Sequence, residues 1–513
     1  MIKLLTSAQM KICDERTIKN GIPSKDLMER AARALVDLLT GSDPRIRPDT
    51  RKIGFLCGTG HNGGDGLAAA RFMHESGFDV FATIVRRDGC TDSLQPSDCC
   101  DETFVQYGLA KKAGVPFFQD PLNCHPTLWV DAIIGTGLER ELSDGLKHLI
   151  REIEKKDVPV IAVDIPTGIS SDLGRVMGSA LHAEATLCIQ NMKRGHLLFP
   201  GSDYCGLLSV CDIGISDQVI KDCDSLVCPD PDFFKPYLPA RPLDSNKGTF
   251  GRLLCVCGSV GMAGAAILAA KAAYRSGVGL VEILSVGENR EIIQSSLPEA
   301  VFTEWNSNWE TVLPQSTTKA DAVLIGCGLD KSKQSLKIMT EVLSKLKPGC
   351  PLILDADALN LLALNPILWD FLPNHTVLTP HPGEAARLLS STVSDIVSDP
   401  VGAAESIVSK KDVVCVLKGA RTIVASRNAK FLLSAGSPAL AKAGTGDVLA
   451  GCIASLLCQN AERKQKHEFE LAALGVMLHG RAGGLASERY GSRGLLASDV
   501  ADQLGIALSK MDN

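Results

Sequence analysis

Short apolar runs, each closed by glycine and followed by a helical stretch, recur from end to end of this chain. Strands that alternate with helices pair in parallel through right-handed crossovers, so the pattern restricts the fold to the α/β class. In the first half it predicts strands at Lys52–Cys57, Asp79–Val85, Leu128–Ile134 and Val158–Asp164, and helices at Gly66–Ser76 and Ser143–Glu154. Residues 7–40 read as helical, with Leu27, Met28, Ala31, Ala32 and Leu35 on one face. The rhythm breaks between Asp217 and Ser245, where CPDPDFFKPYLPARPLDSN is proline-rich and aperiodic. It then restarts with strands at Arg252–Cys257, Gly279–Leu284, Asp321–Ile325, Pro351–Leu354, Thr376–Leu378, Asp412–Leu417, Arg421–Ala425 and Phe431–Leu433. Helices are expected at Met262–Ser276, Asp447–Leu457, Glu468–Ser487 and Ala497–Ser509. The expected division is a doubly wound domain over residues 1–220, a linker over 221–240 and a second α/β domain over 241–513.

Length supports more than one core, because 513 residues exceed the usual single-domain size of ~100–200. A net charge of −6 and the lack of a long basic run argue against a nucleic-acid or anionic-membrane binder. None of the 18 cysteines is spaced Cys-x-x-Cys, and several fall inside apolar runs, where the thiol acts as a small hydrophobe. The opening MIKLLTSAQMKICDERT has no signal-peptide core, and no uncharged apolar stretch reaches the ~18 residues of a span. The expectation is a reduced, cytoplasmic protein without nucleic-acid or membrane partners that assembles as a homo-oligomer.

Chemistry concentrates after the strands. Cys57-Gly58-Thr59-Gly60-His61-Asn62-Gly63-Gly64-Asp65-Gly66 joins a strand to a helix. Glycines admit a ligand close to the backbone, and a helix start offers N–H groups to phosphate. A tight connection alone would explain the glycines, but not the oxygens of Asn62 and Asp65. Two further strand ends, Asp131–Leu138 and Val163–Gly168, carry acids beside glycines. A single Asp there often caps a turn; several at the carboxyl ends of one sheet point to a shared crevice. In the second half, Ala443-Gly444-Thr445-Gly446-Asp447 directly precedes an apolar helix. Small residues there suit phosphate oxygens, and Asp447 is placed to take a proton during phosphoryl transfer. A capped helix is the plainer reading of the same residues. His381 lies between Pro380 and Pro382, and Lys418-Gly419-Ala420-Arg421-Thr422 forms a turn between strands that also fits an ordinary hairpin.

The motifs GTGHNGGDG, DAIIGTGL, VDIPTG and ATLCIQNMKRGHLLFPG, with the opening LLTSAQMKICDERTI, closely resemble the NAD(P)H-hydrate epimerase family over residues 1–215. KGTFGRLL, GMAGAAILAA, LDADALN, TPHPGEAARLL, LKGARTIV and AGTGDVLAG resemble the ribokinase-like NAD(P)H-hydrate dehydratase family over residues 240–510. The resemblance implies a Rossmann-like first domain and a ribokinase-like second one, fused as a bifunctional repair enzyme. In the first, the substrate carries a C6 hydroxyl beside the ring nitrogen, which can expel it and readmit water on the other face. Asp164 matches the catalytic carboxylate and Lys193 an assisting lysine. His61, Asn62, Gly63, Gly64, Asp65, Gly135, Thr136, Gly137, Leu138, Glu139, Arg140, Glu141 and Asp164 match its substrate contacts. Asn62, Asp131 and Thr167 match ligands of K⁺. His61 departs from the family, which usually has Asn there.

In the second domain the resemblance implies that a nucleotide, ADP in fused chains, phosphorylates the hydroxyl of the S epimer and that phosphate then leaves, with Mg²⁺ assisting. Asp447 matches the base. Ala265, Gly328, His381 and Asp447 match substrate contacts, while Lys418, Gly419, Ala420, Arg421, Thr422 and Gly446 match the nucleotide site. Asp330 stands where the family usually has Gly. Two other readings remain at this point: a small-molecule kinase, and a non-catalytic first domain.

Overall fold

The computed structural model describes residues 1–41, 52–91, 93–305, 309–434, 436–460 and 467–512. They form two compact units, Ile2–Leu226 and Val227–Asn513, the latter taking in Met1.

In the first unit, strands β1 (Ile53–Cys57), β2 (Val80–Ile84), β3 (Leu128–Ala132), β4 (Val160–Val163), β5 (Ala185–Ile189) and β6 (Leu207–Cys211) lie in the order β2-β1-β3-β4-β5-β6. Every adjacent pair is parallel. β1 to β4 are buried along their length, as a sheet covered by helices on both faces requires. The chain runs from β1 outward to β2 and then returns to β3 on the other side of β1. Loops leaving β1 and β3 therefore part in opposite directions, which opens a crevice at their carboxyl ends. Helices α1 (Ser7–Lys19), α2 (Ser24–Thr40), α3 (His61–Glu75), α4 (Asp101–Ala113) and α5 (Asp144–Glu154) surround the sheet. α5 illustrates the fit: Ser143 accepts from Leu146 N at 3.2 Å, and Leu146, Leu149, Ile150 and Ile153 form its buried stripe.

The sequence placed the start of α3 at Gly66, whereas the helix begins at His61. The glycine-rich segment is thus mostly its first turns. Glycine weakens a helix by about 1 kcal/mol relative to alanine. Here tertiary crowding demands it, since a Cβ on Gly63 would lie 1.9 Å from Gly58 O and one on Gly66 2.5 Å from Ala132 Cβ. α4, β5 and β6 carried no clear periodicity and were not anticipated.

In the second unit, strands β7 (Arg252–Val256), β8 (Leu280–Ser285), β9 (Val301–Glu304), β10 (Ala322–Ile325), β11 (Leu352–Leu354), β12 (Thr376–Leu378), β13 (Val413–Leu417), β14 (Thr422–Ala425) and β15 (Lys430–Leu433) follow the order β15-β14-β13-β12-β11-β10-β7-β8-β9. Pairing is parallel from β9 to β13 and antiparallel across β13, β14 and β15. The switch point lies between β7 and β10. Helices α6 (Ala263–Arg275), α7 (Pro382–Leu389) and α8 (Thr445–Gln459) bear on the site. No described helix is long and apolar enough to cross a membrane.

Gly58→Ala tests how tightly the β1 and β3 loops approach, because the new Cβ would lie 1.9 Å from Ile133 O. A loss of about 1–3 kcal/mol in urea unfolding is expected; an unchanged midpoint would contradict the close approach.

Candidate active sites

At the first switch point, the β3 and β4 loops are tied together by a buried carboxylate. Asp131 accepts from Thr167 Oγ1 at 2.6 Å, Thr167 N at 2.7 Å and Ile133 N at 3.2 Å. Burial lifts its pKa to about 6 despite these bonds. The knot sets the path of Asp164–Thr167, where Asp164 takes a left-handed φ of 67° that few non-glycine residues adopt. Two partners over-determine that strained residue. His196 Nδ1 accepts from Lys193 N at 2.8 Å, which leaves Nε2 to donate to Asp164 O at 2.6 Å. Burial keeps this imidazole neutral, with its pKa lowered to about 4. Lys193, only 1% exposed, contacts Asp164 Oδ1 and donates to Ile189 O at 2.8 Å. Asp164 Oδ2 accepts from Thr136 N at 3.4 Å.

Asp164 and Lys193 line a cavity of about 850 Å³. Of the sequence-predicted contacts, His61, Asn62, Asp65, Gly135, Thr136, Gly137 and Glu139 also line it. Leu138 instead joins the core with Leu142 and Leu146. Arg140 is exposed, and Glu141 faces Lys147 at 3.3 Å. Gly63 and Gly64 are buried in α3, where they let Gly58 and Met28 approach. The cavity also takes Asp14 and Glu15 from α1, which sequence reasoning did not single out. Asp14 is pushed up to about 6, chiefly by burial. Burial, with Asp164 nearby, also drives Asp65 well above the usual carboxylate range. α1 reaches the crevice only through the tertiary fold, so no local motif marks Asp14.

At the second switch point, one ligand atom each from Cys327, Asp355 and Asp447 lies within 4.8 Å of the others. Asp355 follows β11, accepts from Thr379 Oγ1 at 2.6 Å and pairs with Lys418 Nζ at 2.8 Å. Burial opposes the charge of Lys418, but Asp355 and Glu384 outweigh it and hold the ammonium above its ordinary range. Asp447 stands in the first turn of α8, entered through Gly444 at a φ of 91°. A Cβ on Gly444 would strike Leu268 and Ala497, so only glycine serves both the conformation and the space. Burial, then Asp355, raises Asp447 to about 7. Gly446 lies against Lys418, since a Cβ there would be 3.5 Å from Nζ.

Ala265 and Gly328 touch across the crevice, a Cβ on Gly328 falling 3.0 Å from that of Ala265. His381 caps α7 by accepting from Gly383 N at 3.0 Å, and Glu384 accepts from His381 N at 2.8 Å. Glu384 is raised to about 7, mainly by burial. Gly419 and Ala420 are exposed between β13 and β14, with Arg421 and Thr422 half-buried beside them. Asp330 holds a φ of 68°, the conformation a glycine would take freely. Its carboxylate offsets the strain by accepting from Ser332 N at 2.7 Å and Ser335 Oγ at 2.6 Å.

Two doubly wound sheets, each gathering carboxylates and a lysine at its switch point, define an α/β enzyme with two separate sites. Residues 24–195 match the family described as YjeF-related protein N-terminus, and residues 253–505 match NAD(P)H-hydrate dehydratase. The bifunctional NAD(P)H-hydrate repair enzyme of Coxiella burnetii is 33% identical over 99% of this chain and 100% of its own. That of Escherichia coli is 33% identical over 94% and 89%. A solved structure of a hypothetical protein from Streptococcus mutans is 29% identical, covering 56% of this chain and all of its own, with a TM-score of 0.50. The chain belongs to the family of bifunctional NAD(P)H-hydrate repair enzymes.

Folding raises Asp447 from 3.8 to about 7, so its contribution to stability is complete below about pH 4 and lost as pH rises through about 7. Asp447→Asn is therefore expected to melt a few degrees above the parent at about pH 8, the gap closing by about pH 4. Calorimetric melting of both across that range checks the sign.

Proposed function

We propose that this protein repairs hydrated nicotinamide dinucleotides, the first domain interconverting the R and S forms and the second dehydrating the S form with ADP, which yields AMP and phosphate. The Asp164–Lys193 pair, buried yet lining a cavity of about 850 Å³, carries the reading. A buried charge pair is costly to assemble and, at the wall of a ligand-sized cavity, is well suited to chemistry.

In the first site, the ring nitrogen of the substrate expels the C6 hydroxyl, which needs a proton as it leaves. Water returns to the other face of the iminium and must lose one. Asp164 exchanges both protons, and Lys193 balances its charge throughout. His196 and Thr136 hold the carboxylate and its strained backbone in place. K⁺ seeks oxygen ligands, and one local feature fits it. The Asn62 amide meets Val163 O at 3.2 Å and Gly135 N at 3.3 Å. With nitrogen toward Val163 both contacts are hydrogen bonds; turned over, it sets two oxygens side by side, which a cation stabilises. Asp131 and Thr167 are bonded to one another and share in such a site through Asp131's remaining lone pair. The cation when bound supplies positive charge that draws in the anionic dinucleotide.

In the second site, Asp447 accepts the proton of the C6 hydroxyl as that oxygen takes the phosphoryl group. Departure of phosphate then restores the nicotinamide. Lys418, beside Gly446, faces the phosphates, and Gly419 to Thr422 flank the nucleotide. A hard cation does not seek the Cys327 thiol in this cluster, so Asp355 and Asp447 are the oxygens that suit Mg²⁺. Magnesium neutralises phosphate charge when it accompanies the nucleotide.

Incubating the full chain with chemically hydrated NADH and ADP should return the absorbance of NADH and release AMP and phosphate. A stable phosphorylated product would instead mark a small-molecule kinase. Asp164→Ala should slow consumption of the R form to its spontaneous rate while the S form is still consumed at the parent rate; equal loss of both would remove the epimerase assignment.

A further inference from the structure

At the rim of the first cavity stands a cluster to which the proposed epimerisation assigns no proton transfer. His61 opens α3 and lines the cavity, Cys100 is the N-cap of α4, and Glu102 lies in the first turn of α4. His61 Nε2 is 3.6 Å from Glu102 Oε2, and one ligand atom from each of the three residues lies within 4.8 Å of the others. We propose that His61, Cys100 and Glu102 form a binding site for a zinc-class dication at the mouth of the cavity, and that its occupancy narrows access to the first active site.

The donor set decides the ion. Zinc is held by thiolate at about 2.3 Å and by imidazole or carboxylate at about 2.0–2.2 Å, which sets neighbouring ligand atoms on the order of 3.3–3.8 Å apart. The 3.6 Å separation of His61 and Glu102 already fits one edge of that tetrahedron. Drawing in the third atom needs only small rotations, and the His61 side chain is free to make them at 67% exposure. Thiolate with imidazole selects zinc, cobalt or cadmium over magnesium and potassium, so this site does not compete for the oxygen-seeking ions of the two catalytic centres. Thiolate and carboxylate together also neutralise a dication.

Cys100 and His61 are already in side-chain contact. Burial raises the Cys100 thiol, but bonds to His61 and Thr103 outweigh it and leave the thiol below its ordinary range. His61 is drawn up to about 9, first by that same contact with Cys100. Glu102, facing His61, is held below its usual range, its own backbone N–H being the first cause. Three protein ligands leave the fourth position of the tetrahedron to water or an incoming ligand. A cation here would also join the start of α3 to the start of α4.

The test uses the full chain after chelation and removal of the chelator. Titration with Co²⁺ should give one equivalent of tetrahedral visible bands together with thiolate-to-cobalt charge transfer in the near ultraviolet, displaced by Zn²⁺. Cys100→Ser, which puts a favourable N-cap residue where Cys100 makes no side-chain cap bond, should abolish the charge-transfer band without lowering the melting temperature. Glu102→Gln should weaken binding. A band that persists in Cys100→Ser, or none in the parent, overturns the site. A second arm rests on the proposed epimerase activity: Zn²⁺ should slow consumption of the R form in the parent and not in Cys100→Ser, whose basal rate is unchanged. Zinc that binds yet leaves that rate unaffected overturns the narrowing of access, whereas a parent inactive toward the R form with the cobalt bands intact overturns only the epimerase reading.

Discussion

Strands buried on both faces carry few polar side chains along their length, so each sheet exports most of its polarity to the carboxyl ends of its strands. This constraint organises both units. β1, β3 and β4 deliver Asn62, Asp131 and Asp164 to one crevice, while β10 to β13 deliver Cys327, Asp355, His381 and Lys418 to another. The two switch points turn neighbouring loops apart and leave room for a ligand between them.

Both crevices hold their charges in the same manner. A lysine, Lys193 or Lys418, is bonded to one carboxylate, and further acids stand nearby with raised pKa values. Pairing offsets the cost of burial, whereas Asp65 and Asp447 carry a desolvation penalty that raises their pKa values. Backbone strain accompanies this arrangement at Asp164 and at Ala356 between Asp355 and Asp357 (φ 48°). A hydrogen bond that His196 donates to Asp164 O, and one that Asp357 accepts from the Asp330 amide, hold those loops against relaxation.

Much of this is legible in the sequence. The strands that apolar runs placed, and the long helices of the second half, fall within a few residues of their expected positions, whereas β5, β6 and β9 were not anticipated, and the glycine–acid motifs end at the crevices. The failures have identifiable causes. Glycines 63 and 64 read as a loop because local propensity opposes helix, yet packing against Gly58 and Met28 requires a helix without side chains there. Leu138 sits inside a polar motif but is apolar, and the core of α5 claims it. Asp355 and Glu384 lay within quoted motifs without an assigned role, because their meaning depends on Lys418, far off in sequence.

Periodicity and turn chemistry are properties of neighbouring residues, and from them the linear chain set its α/β class, its two-part organisation and the segments that carry chemistry. Which groups meet is a long-range matter. Asp14 joins Asp164 from 150 positions away, His196 orders a residue 32 places earlier, and Cys100 reaches His61 from another helix. Those encounters follow from the order in which parallel strands assemble, and no local pattern encodes that order.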